Sequence, residues 1–419
     1  MKTEKNGPFR ILANVYAAQK ASRDMTGGIL RYAAMHPGVE VKLYGLGAPL
    51  RRIGELRGWK PEGVIVSTDD PAEIKSIERA GCRAAVFVNV EPPVRTSLRC
   101  ASVFCDGAAV AETAAGLFAR KGLRHFAYVG TRDGDPWSRE RQDALRECAA
   151  RRGASFASFA PSRGASARPV REMAAMARWT AALPKPCGLL AANDIRAMDA
   201  LAACRQAGTS VPEHVMVLGV DDEEFICCQT SPTLSSVVPD FDCGGYLAME
   251  TLAGLLADGA QGGTRPRFGV RGVVERASTS DPSGAGRIVS RAKEYIRIYA
   301  TAADISVQDV AKASGASVRL LQKHFKAIAG TTVCDAIQTT RLARVRELLE
   351  ETVTPIGRIG ELCGFFGEAH LKKLFRRRFG CTMRDWRSGR RESRPHPAPA
   401  GRPAAICISI CVICGQLAF

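Results

Sequence analysis

At 419 residues and 46% hydrophobic composition, the chain has room for two or three domains, which excludes a small module unable to bury a core. Its formal charge of +17 is uneven: residues 287–394 carry 22 Lys+Arg against 11 Asp+Glu, so a minor part of the chain holds most of the excess. The fifteen Cys, with Cys187, Cys204 and Cys363 set in apolar runs, read as small buried hydrophobes of a reducing compartment, not as a disulfide framework. No second Cys or His pair completes the C-x-x-C of Cys411 and Cys414, so neither a metal site nor a cofactor is expected.

The N-terminus MKTEKNGPFRILANVYA has no long apolar segment, so no signal peptide is read. No stretch reaches the roughly 18 apolar residues of a membrane span. A cytoplasmic protein without membrane contact is the expectation.

Short apolar runs follow at 11–17, 39–44, 63–66, 84–90, 126–130, 188–191 and 215–220. Ala-rich segments with charged faces lie between them, among them 108–120, 138–151, 195–207 and 244–257. Buried runs alternating with helices argue for βαβ units and parallel sheets. This much α/β chain predicts two lobes with a cleft between them. Ligands of such sheets bind beyond the carboxyl ends of strands, so polar residues just after strands are the contact candidates.

A small, polar, turn-forming stretch, ASTSDPSGAG, reads as a linker over 277–286. The α/β part therefore spans 9–276. From 287 to 390 the pattern is all-helical, with a leading helix at 288–301 and a long amphipathic helix at 334–350. Two helix-turn-helix units flank that long helix. The first is ISVQDVAKASGASVRLLQKHFKAIAG, 305–330, and the second is TPIGRIGELCGFFGEAHLKKLFRRRFG, 354–380. Ser306 with Asp309 predicts an N-cap for the first. Val310, Ala311, Leu320, Leu321 and Phe325 form its buried stripe, and Ile356, Ile359, Leu362, Leu371 and Phe375 that of the second. Ser317, Arg319, Gln322, Lys323 and Lys326 then face outward in the first unit, as do Glu368, His370 and Lys373 in the second. Lys372, Arg376, Arg377 and Arg378 are placed to hold phosphates. Any one of these residues alone reads as a solvated surface charge. Two matched units with basic second helices point instead to double-stranded DNA, each helix entering a major groove. Residues 391–419 read as a disordered or irregular tail ending in a Cys-rich apolar stretch, 404–419, for which there is no functional account.

The second unit and the residues after it, I-x-x-I-x-x-x-x-G-F…F-R-R-R-F-G-C-T-M-x-x-W-R, resemble the signature of AraC/XylS-type regulators. Ile356, Ile359, Gly364, Phe365, Phe375, Phe379, Gly380 and Arg387 take its positions. Trp386 stands where that family usually has Tyr, and Met383 where it has Pro. The resemblance implies that Arg319, Gln322 and Lys323 read bases in one groove and Glu368, His370 and Lys373 in the next. It also implies activation through contact with RNA polymerase.

Residues 9–275 resemble the effector domain of LacI/GalR-type repressors, which has the two-lobed periplasmic sugar-binding-protein fold. The matching loci are Cys105-Asp106, WSRERQDAL at 137–145, AANDIRAMDAL at 191–201, GVDDEE at 219–224, SPTLSSV at 231–237 and VVERAST at 273–279. A sugar presents hydroxyls on its rim and C–H groups on its faces, so it needs fixed carboxylates, amides and Arg together with an aromatic ring. Asp106, Arg141, Asn193, Asp194 and Asp221 are candidates for the rim, Trp137 or Phe225 for a face, and Asn14 is a further candidate. Each has a bland reading beside this one: Asn193-Asp194 as a helix cap, Asp221-Asp222 as a turn, Arg141 as a surface helix residue.

A LacI/GalR-type domain placed ahead of an AraC-type domain is the order of bacterial xylose-operon activators of the XylR type. It implies a monosaccharide effector, xylose first among the candidates, and a homodimer. A sugar-modifying enzyme is the competing class. The chain lacks a P-loop, an H-E-x-x-H and a convincing G-x-S-x-G, and no G-x-G-x-x-G follows the first strand, so no catalytic residue is assigned. A DNA-binding regulator with a vestigial sensor is the other alternative.

Overall fold

The computed structural model describes residues 9–14, 19–44, 50, 53, 59–91, 96–159, 168–257, 263–280, 283–352 and 354–388. The tail at 391–419, with Cys411 and Cys414, lies outside them. The chain divides between Ser278 and Thr279 into two compact units.

The first unit has two lobes, each built on a six-stranded sheet. In the N-terminal lobe, β1 (Phe9–Asn14), β2 (Val39–Tyr44), β3 (Gly63–Val66), β4 (Ala84–Val88) and β5 (Arg99–Cys105) alternate with α1 (Lys20–Met35) and α2 (Pro71–Arg79). The chain then crosses to the C-terminal lobe. There α3 (Gly107–Arg120), β6 (His125–Val129), α4 (Pro136–Arg151), β7 (Ser155–Phe159), α5 (Pro169–Ala182), β8 (Cys187–Ala191), α6 (Asp194–Gln206), β9 (Val215–Val220), α7 (Glu224–Cys227) and β10 (Ser235–Pro239) follow in turn. It crosses back for α8 (Phe241–Leu256) and β11 (Arg267–Phe268), then returns for β12 (Val270–Val274).

The sheets are ordered β11-β5-β4-β3-β1-β2 and β12-β10-β9-β8-β6-β7. Each pairs in parallel except that β12 runs antiparallel to β10. Runs such as Gly63–Val66 and Val215–Val220 are buried throughout, as strands covered by helices on both faces must be. Both sheets reverse their strand order beside their first strand, β1 in one lobe and β6 in the other, which places the carboxyl ends of β1, β3, β6 and β8 at switch points.

The apolar runs locate β2, β3 and β9 to the residue, end β4 two residues late, and omit β5, β7, β10, β11 and β12. Their sequences explain the omission. Strand β10, SSVVP, opens with two Ser that are fully buried because each is hydrogen-bonded, which hydropathy cannot foresee.

Helices α1 and α8 cross at glycine contact. A Cβ on Gly245 would lie 1.9 Å from the Met25 carbonyl oxygen, and one on Gly28 would lie 1.9 Å from that of Asp242. Backbone cannot yield as a side chain does. Gly245→Ala is therefore expected to cost about 3 kcal/mol, the upper range of over-packing. It would show as a lower urea midpoint at unchanged slope; an unaltered midpoint would refute the close crossing.

The second unit is all-helical: α9 (Gly284–Tyr299), α10 (Val307–Ser314), α11 (Val318–Ala329), α12 (Val333–Glu351), α13 (Ile356–Leu362), α14 (Glu368–Phe379) and α15 (Met383–Ser388). Helix α9 starts at Gly284, inside the stretch read as linker, and Ala277–Thr279 forms a 3-10 turn. Two cores share α12. Its Val333 and Ile337 join Val310, Leu321 and Phe325. Its Leu342, Val345 and Leu349 join Ile359, Leu371, Phe375 and Trp386. Ser306 and Asp309 form a reciprocal capping box at 3.2 and 2.9 Å.

Two stripe assignments need correction. Leu320 is 40% exposed and Leu362 is 49% exposed. Leu321 and Phe325, one turn apart, already fill the first unit's contact, and Leu371 and Phe375 do so in the second. The buried stripe is thus narrower than a 3.6-residue period allows, and Leu320 falls beside it.

Candidate ligand cavity and nucleic-acid interface

A cavity of about 480 Å³ opens between the two lobes of the first unit. The start of α1 contributes Gln19, Lys20 and Arg23 from one lobe. The other lobe contributes the start of α6 (Asn193, Asp194, Ile195) and the β9–α7 turn (Asp221, Glu223, Phe225, Ile226). All three lie after strand ends, where the fold places ligands.

Asp194 is 2% exposed. Its Oδ1 accepts from Ser236 Oγ at 2.6 Å and its Oδ2 from the Glu223 N–H at 2.7 Å. A Cβ at residue 219 would come within 2.1 Å of Oδ1, so Gly219 makes room for the carboxyl. Asp221, which keeps partial solvent access, sits at φ +107° and Asp222 at +52°. Neither is a glycine, and such strain persists only where the surroundings impose it. Asn193 Oδ1 caps α6 by accepting from Arg196 N–H at 3.0 Å.

Burial pushes the Asp194 carboxyl up to about 8, with the charge of Asp221 adding to the rise and the bonds from Ser236 and Glu223 opposing it. Burial likewise pushes Asp221 up to about 6, against the pull of Arg141 and Lys20. The native state thus holds protons that an unfolded aspartate releases near pH 4. The stability tied to the protonated forms is complete below that pH and is lost as pH rises through about 6 and then about 8. The ligand-free melting midpoint should fall between about pH 5 and 8.5, and Asp194→Asn should flatten that fall. An equal slope in the variant would contradict this.

The other candidates stand apart from the lining. Arg141 is buried, donates Nη1 to the Ala192 carbonyl at 2.6 Å, and acts on Asp221 electrostatically. Trp137 lies with its ring centroid 4.8 Å from the Arg141 guanidinium and is not among the residues lining the cavity. Asp106 caps α3, accepting from Ala108 and Ala109 N–H at 2.9 and 3.1 Å. Asn14 ends β1, half-buried and outside the lining. Phe225 is the aromatic at the cavity, 80% exposed. Gln19, Lys20, Arg23 and Glu223 were missed. The first three follow β1, and the rule that ligands sit beyond strand ends would have pointed to them.

In the second unit, α11 and α14 have one pattern of burial. Leu321 and Phe325 turn in where Leu371 and Phe375 do. Arg319, Gln322, Lys323 and Lys326 are exposed on α11. Glu368, His370, Lys372, Lys373, Arg376 and Arg377 are exposed on α14. Ser317 is exposed but also caps α11 through Leu320 N–H at 3.3 Å. Glu368 and Lys372 pair at 2.7 Å. Each helix therefore presents a basic, solvated face one or two turns long.

Residues 115–279 match the model of a periplasmic binding protein-like domain, and residues 310–389 that of a helix-turn-helix domain. The xylose operon regulatory protein of Escherichia coli (strain K12) is 29% identical over 354 residues, covering 80% of this chain and 86% of the relative. That of Haemophilus influenzae is 27% identical over 337 residues, covering 78% and 84%. A solved structure of the xylose-binding transcription activator xylR is 26% identical and covers 91% of this chain and 98% of its own, with a TM-score of 0.54. Along the chain a periplasmic-binding-protein-like α/β domain is followed by an AraC-type double helix-turn-helix domain.

Proposed function

We propose that this chain, a two-lobed α/β domain joined to an AraC-type helix-turn-helix domain, is a sequence-specific transcription activator of sugar-metabolism genes switched by a monosaccharide such as xylose. The observation that carries this reading is the pair of equivalent basic helices, α11 and α14, exposed on one helical unit. The names of the relatives support the ligand class. The cavity adds two desolvated carboxyls, an amide and an exposed Phe, the donor, acceptor and apolar set that a sugar needs.

In this account the sugar binds Asp221, Asp194 and Asn193, with Arg141 holding Asp221 in place and Phe225 covering a ring face. A ligand that touches both lobes binds the closed cleft better and shifts the population toward it. A homodimer then brings two DNA-binding domains to paired half-sites, in the cytoplasm and in reach of RNA polymerase. Arg319, Gln322, Lys323, His370 and Lys373 meet base edges. Lys326, Lys372, Arg376 and Arg377 meet phosphates. Arg376→Ala should therefore weaken binding evenly across sequences and reduce the salt slope by about 1. A change of preferred sequence would reassign that residue to base reading.

A thermal-shift screen of the full chain against a monosaccharide panel tests the sugar reading. A ligand at about 100 times its Kd adds roughly 2.7 kcal/mol and raises the melting midpoint. A flat panel would overturn the sugar assignment.

A further inference from the structure

Three consecutive acidic residues each hold a different part of the first unit. Asp221 lines the cavity. Asp222 Oδ1 accepts from Arg276 Nη2 at 2.8 Å, both side chains being buried. Arg276 also donates Nη1 to the Leu234 carbonyl at 3.0 Å and its backbone N–H to Ser235 Oγ at 2.7 Å. Two residues on, Ser278 Oγ donates to the Val217 carbonyl at 2.6 Å and accepts from Ser235 N–H at 2.9 Å. Residues 276–278, the last before the second unit begins, are thereby stitched to β9 and to the start of β10.

Glu223 reaches the opposite lobe. Its Oε2 accepts from Lys20 N–H at 2.6 Å, and Arg23 Nη2 lies 3.4 Å from its Oε1. Lys20 opens α1, whose N-cap residue Gln19 makes no side-chain capping bond, so the carboxylate satisfies a donor the helix leaves over. The Glu223 N–H donates to Asp194 Oδ2, and the Asp222 N–H donates at 3.0 Å to Ser236 Oγ, which in turn holds Asp194 Oδ1. The left-handed backbone at Asp221 and Asp222 turns neighbouring side chains toward these separate partners. A segment pinned at so many points moves as one piece.

We infer that residues 221–223 form a clasp that ties closure of the cleft to the placement of the exit segment 276–278, with Glu223 gripping the N-terminal lobe and Asp222 gripping Arg276. Both are positioning residues: Glu223 acts through the α1 backbone, Asp222 through Arg276. The inference deepens the sensor reading above and rests on it for the ligand, while the clasp itself is a property of the ligand-free chain.

Hydrogen-exchange mass spectrometry on the full-length, ligand-free protein tests it. In Glu223→Gln, which keeps the side chain's shape, exchange should rise about tenfold in peptides containing Lys20, and several-fold in peptides spanning 276–279, which Glu223 does not touch. Asp222→Asn should give the same rise at 276–279, and Glu223→Asp, which retains the charge, should restore part of the protection. Faster exchange at Lys20 with none at 276–279 would overturn the coupling. No change at either would overturn the clasp outright. D-xylose added to the same samples serves as a separate arm: if wild type ignores D-xylose while the exchange pattern holds, the clasp stands and the sugar assignment falls.

Discussion

Truncating Phe375 to alanine is expected to remove about 3–5 kcal/mol from the second helical unit, the usual cost of an aromatic lost from a closed core. Phe375 is fully buried, with its ring centroid 4.5 Å from that of Phe379 and 5.9 Å from that of Trp386. Met383, Leu371 and Ile359 belong to the same core, so the void has little freedom to collapse. A typical domain has only about 5–15 kcal/mol in all. The loss should therefore melt the helix-turn-helix around α14 at moderate temperature while the core around Phe325 stays folded. Circular dichroism should show a new early transition, and DNA affinity should drop to that of one recognition helix. A loss below about 1 kcal/mol would mean that the second core is loosely built.

Replacing Asp221 with asparagine is expected to separate stability from response. The carboxyl is pushed up to about 6 by burial and sits on strained backbone, with the charges of Arg141 and Lys20 as its only stabilising influences among the described residues. A desolvated carboxyl on strained backbone at the wall of a cavity is the pattern of a group kept for a ligand. Asp221→Asn should leave the ligand-free melting midpoint unchanged or higher. Loss of a charge-assisted bond to a hydroxyl, about 1.5–3 kcal/mol, should weaken sugar affinity by roughly 10- to 100-fold. Calorimetric titration beside a melting curve checks both halves. A variant that melts lower and binds sugar normally would make Asp221 structural.

Much of this architecture was legible in the sequence because its signals are local. Buried runs such as Gly63–Val66 stand out, and Ser306 and Asp309 announce their capping box three residues apart. Asp194 and Asp221 stand out in the sequence because they follow strands and fall within loci of the resemblance, and both line the cavity. Contacts between distant residues were not legible. The bond from Lys20 to Glu223 joins positions 203 apart in sequence, and no pattern in either neighbourhood marks it. Trp137 and Arg141 are paired in a way that residue type alone does not announce. Their spacing of four puts them on one helix face, where the aromatic and the guanidinium satisfy each other before any ligand is present. Asp106 likewise carries the residue type of a ligand contact and also caps α3, through Oδ1.

A sugar bound in the first unit is expected to change how the second binds DNA. Fluorescence anisotropy of the full-length protein on a genomic fragment that it selects, with and without each monosaccharide of the panel, tests this directly. Specific binding at least about 10³-fold tighter than to random DNA, changed by one sugar through about 5- to 150-fold, is the predicted result. Specific DNA binding that no monosaccharide alters would contradict the account.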